Sequence, residues 1–143
     1  DFLVDAVGAD HLHEALLAAG ERCLHRNEEL ANYESTTVEL APVDVLYARR
    51  PATLAMLERA QKGSPPNTDA DVVVPVVDAE GIIGLKVQAM ANAPVRRDRE
   101  RDDIRELLTA HRGRLDLELI RDYYRRFGLE DELEQLLDEI ART

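Results

Sequence analysis

Hydrophobic and polar positions divide the chain into a first half typical of strands and a second half typical of helices. Short apolar runs at residues 2–4, 43–47 and 72–77 are bounded by turn residues, as buried strands are. From Asp78 onward, apolar residues instead recur every three or four positions. The pattern predicts an α/β (α+β) protein, with a small mixed sheet and a C-terminal helical layer.

The first half is expected to alternate strands with short helices. A helix follows Asp10 and ends at Gly20, and Pro75, which lacks a ladder donor, places the last strand at a sheet edge. The remaining expected elements are strands at 22–26, 36–40 and 43–47, a helix at about 52–61, and a loop at 63–67.

The second half is expected to consist of four helices. Asp78 is placed to cap the first of them, on which Ile82, Ile83, Ala89 and Met90 form one stripe with Lys86 on or beside it. The others are expected at 102–111, at 117–127 after the capping residue Asp116, and at 130–141. We expect one domain over 1–143, strand-rich in 1–77 and helical in 78–143.

Composition limits the class of protein. A chain of 143 residues with 45% apolar content suits one domain, and no apolar run approaches the roughly 20 residues of a membrane-spanning helix. A single cysteine, Cys23, cannot form an internal disulfide. The first residues resemble no signal peptide and include no initiator Met, so we expect a cytoplasmic protein and a fragment or processed product.

Charge is unevenly distributed. The net charge of −11 excludes nucleic-acid binding over the whole surface, so any polyanion contact must be local. Arginines cluster at positions 96, 97, 99 and 101, whereas residues 130–139 are strongly acidic. This polarity either steers a partner or reflects a solvated loop beside a solvated helix face.

Histidine and cysteine provide no metal site by spacing. His11 and His13 are two residues apart in a predicted helix, on different faces, and are expected at the surface. Cys23 and His25 alternate in a predicted strand and would share a face, but two ligands do not make a zinc site.

Four short blocks appear together in one order: residues 1–4 (DFLV), 43–46 (VDVL), 80–86 (EGIIGLK) and 99–104 (RERDDI). In this order they resemble the nucleotidyltransferase superfamily, and within it the AbiEii-like minimal nucleotidyltransferases, which are toxin-type proteins. The blocks extend over most of the chain. An unrelated α/β domain with similar blocks would instead have Asp1, Asp44 and Lys86 scattered in space.

The resemblance implies roles for particular residues. Asp1 and Asp44 would bind Mg²⁺, and Asp44 would also be the base for the acceptor hydroxyl. Lys86, Arg97 and Arg99 would contact the phosphates of a nucleoside triphosphate, with Asp103 orienting Lys86 or an arginine. The family's first Asp and its Gly-Ser turn would precede residue 1, so we expect the printed chain to be inactive by itself.

Simpler alternatives remain open for these residues. Asp44 can be an edge-strand charge or a partner of Arg49 or Arg50, and Lys86 can form a structural ion pair with Glu80 or a nearby Asp. The arginines can be solvated, and Asp103 can serve as a charge at a helix N-terminus.

Two functions are expected on this basis. The first is Mg²⁺-dependent transfer of a nucleoside monophosphate to an acceptor hydroxyl of RNA, tRNA or protein, in a toxin–antitoxin or phage-defence toxin with a cognate antitoxin as partner. The alternative is a non-catalytic nucleotidyltransferase-like scaffold that binds or regulates a protein through its acidic C-terminal helices.

Overall fold

The first half of the chain is built on a four-stranded mixed sheet. The structure is a computed structural model, which describes residues 1–37, 41–64 and 72–142. The strands lie in the order β1-β4-β3-β2, with β1 parallel to β4 and the other neighbours antiparallel. Their bounds are β1 Phe2–Asp5, β2 Glu21–Arg26, β3 Leu30–Ser35 and β4 Val43–Ala48.

One face of this sheet packs against helix α1, Ala9–Ala18. Because side chains alternate along a strand, every second residue of β3 and β4 enters this core. Gly20 ends the helical segment with a φ of 96°, a left-handed conformation that glycine adopts without strain. The buried residues are Ala9, Ala31, Tyr33, Val45 and Tyr47.

The first compact unit, Asp1–Val76, also contains helix α2 and a second sheet. Helix α2, Pro51–Arg59, begins with Pro at its first position, where no backbone donor is needed. Strand β5, Gln61–Gly63, pairs antiparallel with β6, Val74–Val76, in a two-stranded sheet. Pro75 therefore lies in an edge strand, as predicted.

Three expectations for this unit need correction. Strand β3 was not predicted, because Ala, Asn and Glu are uncommon in strands and obscure its alternation. Thr36 and Thr37, expected in a strand, form a bend, and residues 38–40 of that prediction lie outside the described residues. A loop was expected at 63–67, but Gly63 belongs to β5. Residues 65–67 of that expected loop also lie outside the described residues.

The second compact unit, Val77–Thr143, is helical. Its helices are α3 Ala79–Asn92, α4 Arg97–Ala110, α5 Leu117–Arg126 and α6 Glu130–Arg142. Asp78 caps α3 by accepting a 2.7 Å hydrogen bond from the Gly81 amide, and Asp116 caps α5. The helices enclose their own apolar core, which includes Ile83, Val87, Ile104, Ile120, Leu133 and Leu136.

Helix α4 begins five residues before its predicted start at 102. Its buried stripe is Glu100, Ile104 and Leu108, so a carboxylate occupies the position where an apolar residue would have revealed the first turn. Arg97 and Arg99 are consequently helical, and Asp103 lies inside the helix instead of near its N-terminus. Ile82, expected in the core, is 36% exposed.

The protein is thus α+β, with the predicted mixed sheet in the first unit and the predicted helices in the second. Among the helices that the structure describes, none is both long enough and apolar enough to cross a bilayer.

Candidate functional site

Asp44 lies in β4, and Asp1 immediately precedes β1, the parallel neighbour of β4. Phe2 pairs with Val45, so Asp1 and Asp44 are the two residues that precede this register pair. Val45 faces the core, and alternation turns Asp44 to the opposite, open face. Both aspartates are exposed, and neighbouring strands are about 4.8 Å apart, within the reach of one cation. We call Asp1 and Asp44 the acidic pair.

Asn32 on β3 contacts the acidic pair from the other side. It is the antiparallel register partner of Asp44, and its Nδ2 donates to Oδ1 of Asp44 at 2.6 Å. A carboxylate only accepts hydrogen bonds, which requires the amide nitrogen of Asn32 to face it. Sequence reasoning missed Asn32, although it alternates with the buried Ala31 and Tyr33.

The expected arginine partners of Asp44 are engaged elsewhere. Arg49 donates its Nε to the carbonyl oxygen of Glu28 at 2.7 Å, and Arg50 lies 3.6 Å from the carboxylate of Glu29. Asp44 is also on a central strand, between β1 and β3, so it is not an edge-strand charge. The contact that the structure gives Asp44 is with Asn32.

The donor chemistry of the acidic pair suits Mg²⁺. This ion takes one or two protein carboxylates and completes its shell with water and substrate phosphates. Within the described ranges, no three His, Cys, Asp or Glu side chains gather into a group that could hold a metal by themselves. The acidic pair therefore fits a cation shared with a phosphate ligand better than a closed structural site.

In the second unit, Lys86 lies between two carboxylates of α4. Its Nζ donates to Oε2 of Glu100 at 2.9 Å and to Oδ2 of Asp103 at 2.5 Å. Glu100 is 3% exposed and also accepts from Arg96 at 2.5 Å. Glu80, one expected partner of Lys86, instead accepts from the backbone amide of Asp116. We call Lys86, Arg96, Glu100 and Asp103 the lysine cluster.

These contacts shift two pKa values in opposite directions. Burial by itself lowers the pKa of Lys86, but the hydrogen bonds to Asp103 and Glu100 outweigh it, and the pKa is raised. The hydrogen bond from Lys86 lowers the pKa of Asp103, and the charge of Arg99 adds to this effect. Both shifts favour the charged forms of Lys86 and Asp103.

The arginine run of α4 differs from residue to residue. Arg97 pairs with Glu132 of α6, and Arg101 pairs with Glu139. Arg99 is exposed, and among the described residues no carboxylate lies within ion-pair distance of it. Lys86, Arg97 and Arg99 were expected to contact phosphate. Lys86 and Arg97 form ion pairs, whereas Arg99 is exposed to solvent.

The acidic run of α6 is largely matched within the same unit. Glu134 pairs with Arg121 of α5, and Glu139 also pairs with Arg105. The basic and acidic runs therefore bind one another across the helices, and neither is a purely solvated face.

A groove beside Lys86 is poorly suited to an anion. It encloses about 360 Å³, and its lining combines an apolar floor with two carboxylates: Ile82, Lys86, Asp103, Glu106, Leu107 and Ala110. The lining contains one ammonium group, that of Lys86, and two carboxylates, those of Asp103 and Glu106, so the groove carries net negative charge.

The expectation that Cys23 and His25 share one face of a strand is wrong. A bulge at Leu24 places Cys23 opposite Tyr33 and His25 opposite Asn32, so the two side chains lie on opposite faces of the sheet. His11 is exposed as expected, but His13 is half-buried, with its Nδ1 2.9 Å from the Tyr33 hydroxyl.

Comparison of the sequence with models of known families found no match, and comparison with curated proteins found none either. In the first unit, Asp1 immediately precedes β1, the parallel neighbour of the strand that contains Asp44, and in the second unit Lys86 lies beside Asp103.

Proposed function

We propose that this chain is part of a Mg²⁺-dependent nucleotidyltransferase, which transfers a nucleoside monophosphate from a nucleoside triphosphate to an acceptor hydroxyl. The observation that carries the proposal is the acidic pair, two exposed aspartates of which Asp44 lies in β4 and Asp1 immediately precedes β1, its parallel neighbour. The order of the four sequence blocks also supports it, and two of those blocks supply Asp1 and Asp44.

The acidic pair would hold Mg²⁺, which when bound neutralises phosphate charge. The acceptor oxygen attacks the α-phosphorus, the bond from that phosphorus to the bridging oxygen breaks, and pyrophosphate leaves. Asp44 takes the proton of the acceptor hydroxyl, for which an exposed carboxylate at the reacting face is suited. The resemblance implies that Arg99 contacts the phosphates, which a guanidinium can bind in a bidentate manner.

The acceptor is proposed to be RNA, such as tRNA, or a protein. A net charge of −11 restricts any RNA contact to a local basic surface, and Arg99 is a member of the basic run that would provide it. Within the same proposal, the protein acts as a toxin of a toxin–antitoxin or phage-defence pair, with a cognate antitoxin as its partner.

A second candidate is a nucleotidyltransferase-like scaffold that binds a protein without catalysis. One observation favours it: Lys86 and Arg97, expected at a phosphate, are both engaged in ion pairs inside the second unit. A scaffold would retain these pairs for stability and would bind no nucleotide.

Calorimetry of the chain extended upstream of residue 1, with each of the four nucleoside triphosphates in the presence of Mg²⁺, separates the candidates. Asp44→Asn keeps the shape of the side chain and removes its charge, so we expect affinity to fall on the order of 10-fold or more. Asp10→Asn is the matched control, since Asp10 is a 90% exposed aspartate of the same unit that pairs with Arg26.

The proposal requires that the native chain and Asp10→Asn bind alike and that Asp44→Asn binds weakly. Equal binding by all three proteins would remove the acidic pair from the site. A native chain that binds no nucleotide under these conditions would favour the scaffold.

A further inference from the structure

Asn32 occupies an unusual place for its residue type. It lies in β3, which has β4 on one side and β2 on the other, so both of its strand edges are paired. Asparagine is depleted in strands, because its side chain competes for backbone hydrogen bonds and packs poorly on a pleated surface. Strand formation therefore does not account for Asn32 at this position.

The contact that Asn32 makes is directed at one atom. Its Nδ2 lies 2.6 Å from Oδ1 of Asp44, and the two residues are register partners across β3 and β4. A hydrogen bond to a charged acceptor is shorter and stronger than one between neutral groups. The half-buried position of Asn32 restricts its own side chain, so the donor is held in place.

Such a bond restricts the Asp44 carboxylate. An exposed aspartate otherwise rotates about its terminal torsion, whose energy profile is broad. With Oδ1 held by Asn32, Oδ2 can face a cation, and the remaining lone pairs of the carboxylate can still accept the proton of the acceptor hydroxyl. Partners that hydrogen-bond a ligating carboxylate in this way orient it and commonly set metal affinity.

We propose that Asn32 is a positioning residue for Asp44, which it orients toward a divalent cation held by the acidic pair. This inference rests on the proposed function, and it adds a residue of β3 that no sequence block of the resemblance contains. Asn32 itself contacts neither substrate nor reacting atoms in this role.

The test is a Mg²⁺ titration of the full ¹⁵N-labelled chain, without nucleotide, followed by NMR. The Asn32 side-chain amide signals are assigned by their loss in Asn32→Ala. In the native chain we expect these signals to shift as Mg²⁺ binds, and in Asp44→Asn we expect no shift. Such a shift would show that Mg²⁺ binds next to the hydrogen bond between Asn32 and Asp44, and affinity then decides whether Asn32 positions the carboxylate.

Affinity provides the second readout. Asn32→Ala is expected to weaken Mg²⁺ binding on the order of 10-fold, as loss of an outer partner of a metal ligand does. Asn32→Gln keeps the amide donor and is expected to recover part of the affinity. Asn92→Ala, at the end of α3, is the matched control and is expected to bind like the native chain.

The outcomes separate this inference from the proposed function. If Asp44→Asn loses Mg²⁺ while Asn32→Ala binds like the native chain, positioning by Asn32 is wrong and the acidic pair stands. If the native chain shows no Mg²⁺ response, both assignments are overturned. If Asn32→Ala fails to fold, the native chain alone still provides a test. Asn32 amide signals that do not shift while Mg²⁺ binds the native chain would overturn the inference.

Discussion

The ammonium group of Lys86 on α3 lies 2.9 Å from Oε2 of Glu100 on α4, and only 3% of the Glu100 side chain is exposed. Glu100 occupies a position on the buried stripe of α4, one turn before Ile104. A buried carboxylate is costly unless it is paired, so Lys86 and Arg96 compensate a charge that the core would otherwise exclude. The contact therefore joins α3 to α4 by charge as well as by apolar packing.

Lys86→Met is expected to lower the free energy of unfolding by about 2 kcal/mol, because Glu100 loses one of two charged hydrogen bonds while it stays buried. Chemical denaturation followed by circular dichroism measures the change. Lys62→Met is the matched control, since Lys62 is an exposed lysine of β5, and its effect is expected within about 0.5 kcal/mol. Equal stability of the two variants would show that the ion pair does not support the unit.

Stability at low pH is expected to depend on Asp103. The Lys86 hydrogen bond holds the pKa of Asp103 below its ordinary value of 3.8, so ionised Asp103 stabilises the folded chain above that pH. This contribution is lost as pH falls through the lowered pKa of the folded state. The stability difference between the native chain and Asp103→Asn should stay constant near neutral pH and shrink below about pH 4.

The pH experiment has an internal control in the Lys86→Met background. Without the lysine, the main cause that lowers the pKa of Asp103 is absent. Asp103→Asn should then change the stability below about pH 4 far less. If Asp103→Asn changes the stability below about pH 4 equally in both backgrounds, Lys86 is not the cause of the pH dependence.

Arg99 and Arg97 are expected to separate phosphate binding from stability. Under the proposed function, Arg99→Ala weakens binding of Mg²⁺ with nucleoside triphosphate several-fold, because its guanidinium is exposed and, among the residues that the structure describes, forms no ion pair. Arg97→Ala removes the partner of Glu132 and is expected to lower stability by up to about 1 kcal/mol. Calorimetry and denaturation, applied to both variants, measure the two effects.

The reverse result would be informative for each arginine. Loss of nucleotide binding in Arg97→Ala at unchanged stability would mean that the Glu132 pair opens to admit phosphate. Unchanged binding in Arg99→Ala would leave the second unit without a tested phosphate contact.

Sequence patterns predicted the elements whose cores are apolar. The periodicity of α3, α5 and α6, with Asp78 and Asp116 as caps, identified those helices within a few residues. Strands β1 and β4 were recognised for the same reason, since residues such as Val4, Val45 and Tyr47, which pack in the core of the sheet, are β-branched or aromatic. Elements in which a polar residue occupies a key position, such as Asn32 in β3 and Glu100 in α4, were missed or shortened.

The sequence by itself determined the α+β class and the mixed character of the sheet, because these follow from local periodicity and from residue type along the chain. The candidates Asp1, Asp44 and Lys86 came from the resemblance of its four blocks. Tertiary structure alone decided which charges meet. Strand register placed Asn32 against the carboxylate of Asp44, while helix packing directed Glu100 and Asp103 to Lys86. Pairing between residues distant in sequence depends on register and packing, which local patterns do not encode.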